Sequence, residues 1–190
     1  MQCNNVQKLC NVIRKRSAEH ALAISRMNDL PGMMVSILRQ ELDSMVRAIY
    51  LLSEKDVTNR ERLAGQTLTG GKWTALTVNN KMRTITDKEM VDLANELQGW
   101  SKSVYKFGCA FIHLSIYHDY SEKNPFDSLD FNERTDILSH LRHYHGGPSN
   151  DNPSFSELAE YFPNVFEKIS DNLDFYLECL EGNETSLAAL

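Results

Sequence analysis

No apolar run in this chain approaches the roughly 20 residues that cross a bilayer, so no membrane-spanning helix is expected and the membrane is excluded as a partner. The opening stretch MQCNNVQKLCNVIRKRS lacks the apolar core of a secretory leader, and a cytoplasmic location is the resulting expectation. Cysteine is scarce. Cys3, Cys10, Cys109 and Cys179 are widely scattered with no CxxC pair, so free thiols are expected rather than a disulfide framework. There is no excess of basic charge. The net charge of −6 excludes a protein whose whole surface binds nucleic acid, although a local basic groove is compatible with it. Several motifs are also missing. GGK at 70–72 lacks the rest of a phosphate-binding GxxxxGK[ST] loop, and there is no HExxH zinc signature. No convincing alternating strand or Asn-Gly hairpin appears, which argues against a β-rich fold.

What is present is helical periodicity. At 190 residues and 42% hydrophobic content the chain is read as one domain with a substantial core, spanning 1–190. Val6, Leu9, Cys10, Ile13, Ala21 and Ile24 repeat at helical spacing, and NDLPG ends that pattern. The clearest helix is 33–54, where Leu38, Leu42, Met45, Ile49 and Leu52 form one continuous stripe. On its far face Arg39, Asp43 and Arg47 are spaced for ion pairs. Glu41 lies at the edge of the apolar stripe, where a carboxylate needs a partner. Residues 55–85 read as an irregular loop or lid with Trp73 as its anchor, although TNRERLAGQTL within it could form a short helix. Thr86 and Glu89 form a capping box that opens a long helix to about Tyr120, with Gly99 and Gly108 as places to bend or admit another helix. Asp130 caps a helix over 130–145 that Gly146, Gly147 and Pro148 end. A short helix over 154–161 and a last one opened by Pro163 follow, with residues 182–190 as a frayed tail. The expected class is all-α, a helical bundle of about five or six helices.

Five of the six histidines fall in one stretch: His113, His118, His140, His143 and His145. Histidine titrates near neutrality and is the commonest metal ligand, so chemistry is expected here if anywhere. His118 is expected to share a face with Trp100 and Phe111, with Ser115 near its middle, and to meet Glu41 in a cavity. His140 and His143, three apart on a helix, can chelate a divalent metal if His118, His145, Glu41 or Asp136 supplies a third ligand. The same residues are also what a helix C-terminus uses to offset its dipole. Arginine beside histidine suits metal-independent RNA cleavage, with histidine moving protons and arginine stabilising phosphorane-like charge.

The segments SILRQELDSMVRAIYLLSE, FIHLSIYHDY and RTDILSHLRHYHG together resemble the HEPN superfamily of prokaryotic all-α domains. The likeness is to members associated with AbiV- and AbiU-like abortive-infection proteins and related helical families. That superfamily's motif is an arginine, four to six residues, then a histidine, and Arg134 with His140 fits the spacing. Thr135 departs from it, since Asn, Asp or His more often follows the arginine. Arg14 and His20 carry the same spacing, but Arg134 and His140 sit beside the other histidines. The resemblance implies a homodimer whose cleft pairs two such motifs, within a defence or toxin-type system. His140 would be the general acid/base and Arg134 the phosphate clamp, with Arg142 and His145 auxiliary and Glu41 or His118 orienting the site.

Three function classes stay open: a metal-independent endoribonuclease or RNA-binding protein without cofactor, a non-catalytic module that binds a protein partner such as an antitoxin, and a metal-dependent bundle enzyme. The last would use His118, His140 and His143 as ligands, in general likeness to DinB-like bundles.

Overall fold

The computed structural model describes residues 4–77, 79–113 and 116–182, with Ile116 by its backbone only. Cys3, the stripe position Leu114, Ser115 and residues 183–190 of the expected tail lie outside the described residues.

The fold is an all-α bundle built around one apolar helix. Helix α1 (Asn5–Ile24) starts where the Asn4 side chain accepts the Val6 and Gln7 amides. Helix α2 (Pro31–Ser53) opens on Pro31, whose fixed φ suits a first turn. The stripe Leu38, Leu42, Met45, Ile49 and Leu52 is buried, and so are Val46, Ala48 and Leu51 on the helix's other sides. Burial all round identifies a central helix. Against α2 pack α8 (Phe162–Glu181), α5 (Ser101–Ile112), α4 (Asp87–Gln98) and α1. Along its polar edge Asp43 links Arg39 at 3.4 Å and Arg47 at 3.5 Å, and Arg47 continues to Asp87 at 3.2 Å.

Two expectations are corrected. The long helix expected from Thr86 to Tyr120 is two helices, because Gly99 adopts a left-handed φ of 71° and stops α4. α5 restarts at Ser101 and ends at Ile112, with His113 as its C-cap, and a single 3₁₀ turn holds Ile116–His118. The region 55–85 is also more regular than a loop. It contains helix α3 (Val57–Leu68), capped by Asp56, and a two-stranded antiparallel hairpin, β1 (Thr74–Leu76) with β2 (Met82–Thr84). Leu76 and Met82 face each other across the hairpin and are both exposed, so no alternation of buried and exposed residues announces the strands. Trp73 is buried at the base of the hairpin, where its indole N–H donates to Thr67 Oγ1 at 2.7 Å.

Helix α6 (Phe131–His145) carries the Asp130–Glu133 capping box and ends at Gly146, φ 77°. It packs on α5 at the rim of the bundle, and only Leu138 and Leu141 of its residues are fully buried. A short helix α7 (Phe155–Ala159) leads into α8.

Candidate functional site

Helix α6 carries every residue expected to be catalytic, and its geometry divides them. At about 100° per residue, a separation of six places Arg134 and His140 about 120° apart around the axis. Arg134 lies on the ridge Phe131, Arg134, Leu138, Arg142, which lines an open groove closed on its far side by Asp151 and Asn152. Thr135, Ser139 and His143 complete that groove. His140 lies on the ridge Ile137, His140, Leu141, Tyr144, which turns inward to a cavity of about 80 Å³ between α2, α5, α6, α7 and α8. Within one chain Arg134 and His140 therefore line different spaces.

The groove side is cationic. Arg142 is engaged locally: its Nε donates to the Pro148 carbonyl at 2.7 Å, and its Nη2 to the Asn150 carbonyl at 3.0 Å and to Asp151 at 2.7 Å. It anchors the 148–151 loop. Arg134 differs. Its Nε is buried without a hydrogen-bond partner. Phe131, one turn before it, is 74% exposed, the most open large apolar side chain among the described residues.

The cavity side is apolar and holds two of the expected residues, His140 and His145. Burial pushes the His140 imidazole below its ordinary pKa. His143 pushes the same way, against the carboxylate of Asp136. Burial also lowers His145, and the charge of Lys168 adds to it. Both rings are thereby biased toward the neutral form, which can donate from one nitrogen and accept at the other. The His140 Nδ1 is buried without a hydrogen-bond partner. Lys168 was not foreseen. It sits at the edge of the α8 stripe, three residues after Val165, and nothing in its sequence neighbourhood sets it apart from a solvated lysine. Its ammonium lies 3.8 Å from the centre of the Tyr144 ring and 5.8 Å from that of Trp100.

The expected supporting residues stand elsewhere. Glu41, fully buried, accepts from Ser17 Oγ and lies 2.6 Å from His20 Nδ1. Its histidine partner is thus His20, the one outside the cluster, and not His118. His118 Nε2 lies 3.2 Å from the Phe111 carbonyl, and its ring tilts against that of Phe111 at 5.9 Å. His113 is exposed at the end of α5. Among the described residues no group of three His, Cys, Asp or Glu side chains converges to hold a metal ion, so His118, His140 and His143 do not form the expected ligand set. His143, which lines the groove, instead meets Tyr144 edge-on at 4.6 Å.

No protein-family model matches the chain, and neither a curated protein nor a solved structure matches it. The HEPN-like reading therefore rests on the sequence segments that suggested it.

Proposed function

We propose that this chain is a HEPN-like helical module that binds single-stranded RNA in the α6 groove, without cleaving it as a single chain. The observation that carries this reading is the pairing of an exposed ring, Phe131, with the half-buried guanidinium of Arg134 on one ridge of an open groove that both line. An aromatic face stacks on a base of any sequence, and an arginine satisfies phosphate oxygens or stacks in turn. Ser139 and His143 add donors along the same groove. The net charge of −6 confines such binding to this local surface. Cleavage by Arg134 and His140 would need a second copy, since one α6 sends the two side chains to different surfaces. The homodimer implied by the resemblance is the arrangement in which that could occur.

The test is fluorescence anisotropy of a fluorescein-labelled single-stranded RNA, at about 50 mM and about 200 mM salt. Binding is expected to weaken as salt rises. Arg134→Ala and Phe131→Ala are each expected to weaken it about tenfold, the scale of one base–aromatic stack or one charged contact. Absence of binding at low salt, or variants indistinguishable from the parent, would overturn the RNA reading. A module that docks on a protein partner would then remain.

A further inference from the structure

The cavity behind α6 takes no part in the groove. Its lining is almost wholly apolar, with Val104, Phe107, Leu141 and Phe162 among the walls. An apolar cavity of about 150 Å³ takes up benzene and excludes water. At about 80 Å³, about half of that, this one has room for a short branched chain. The cavity is not sealed from polar surroundings. Tyr144, His145 and Lys168 line both it and an adjoining open depression that Asn172 also lines. The Asn172 Nδ2 is buried without a hydrogen-bond partner, as is the His140 Nδ1 inside the cavity wall. Buried polar atoms are rarely left unpaired, and here one lies in the cavity wall and the other beside the depression outside it. Lys168 lines both spaces, held over ring faces and, among the described residues, in no ion pair with a carboxylate.

We propose that this cavity binds a small apolar carboxylate. The hydrocarbon body fills the space between Phe107, Leu141 and Phe162. The carboxylate lies at the mouth, where the Lys168 ammonium donates to it. An amine is disfavoured because Lys168 already occupies the ring faces a cation would seek. Glu167 and Asp171 rim the outer depression and repel an anion, so the carboxylate stops at Lys168. This site is independent of RNA binding, since it lies on the other side of α6.

The probe is isobutyrate, titrated into the full chain while the imidazole resonances of His140 and His145 are followed by NMR. A saturable shift of both rings is expected. Isobutyramide, the same shape without the charge, is expected to bind at least tenfold more weakly, and Lys168→Met should weaken isobutyrate by a similar factor while leaving isobutyramide unchanged. Val104→Phe, which fills the cavity, should abolish both shifts, with a thermal melt to confirm that it folds. No saturable shift would overturn the proposal. So would equal affinity for the acid and the amide in the parent chain, a comparison that needs no variant, or retention of binding in folded Val104→Phe protein.

Discussion

Glu41 is a costly side chain to place in this fold. A fully buried carboxylate gives up its hydration, and only specific partners can offset that loss. The partners are His20 Nδ1 at 2.6 Å and the Ser17 hydroxyl, both on α1, so the contact also fixes α1 against α2. Ser17 reaches on to Ser170 of α8 at 3.2 Å, which joins three helices through one polar chain. Glu41→Ala strands His20, itself nearly buried, beside a void. We expect a loss of about 3 kcal/mol in urea unfolding, the scale for breaking a buried pair. Glu41→Gln, which keeps the shape and an acceptor, should lose clearly less. A change within about 1 kcal/mol for Glu41→Ala would sink this account, because it is the size of an exposed pair. The need for a partner was legible from the position of Glu41 beside Met45 and Leu52 in the helical repeat. The partner's identity was not. Spacing along α2 says nothing about which residue of another helix comes to rest there.

At the scale of elements, two glycines decide how the middle of the chain is arranged. Gly99 ends α4 through its left-handed φ, with open space where a Cβ would stand. Gly108 acts by absence of bulk. A Cβ there would lie 2.6 Å from the Arg39 Cβ and 3.1 Å from its Cγ and Cδ. The first of these atoms is fixed to the α2 backbone and cannot swing away, so Gly108→Ala must push α5 off α2. Overpacking of this kind costs about 1–3 kcal/mol, and we expect the variant to melt at a clearly lower temperature than the parent. Gly99→Ala should cost about 1 kcal/mol, from backbone strain alone. If Gly108→Ala melts with the parent, the close approach of α5 to α2 is wrong. The sequence marked both glycines as places to bend or to admit a helix, but not which did which, because apolar spacing runs through Gly99 with little interruption. The hairpin was illegible for a different reason. Its strands are three residues each and largely exposed, so burial imposes no period of two on them. On α6 the spacing of Arg134 and His140 was read along the chain. The angle around the helix, which separates them, is what determines the site.

The whole molecule integrates these local charges into its stability against pH, in two separable windows. Burial lowers His140 and His145 below their ordinary value of 6.5. The unfolded chain then takes up these protons first as pH falls through 6.5, and stability declines until the folded rings also protonate. Their contribution is thus fully present above about pH 6.5 and lost below it. Glu181 is held down chiefly by its hydrogen bonds to Arg14, at 2.6 and 2.9 Å. Glu89 is held down by the Thr86 amide at its helix cap. These carboxylates stabilise the fold above their ordinary value of 4.5 and lose that effect only below it. Acidification should therefore lower the urea midpoint in two steps, the upper from α6 and the lower from the α1–α8 clamp and the α4 cap. Replacing His140 with Leu and His145 with Gln should remove the decline that begins at about pH 6.5 while leaving the one below about pH 4.5. The difference between parent and double variant isolates the two rings from every other titrating group. A difference that stays constant across the upper window would mean that His140 and His145 are solvated in the folded chain, and the enclosed apolar cavity behind α6 would fall with them.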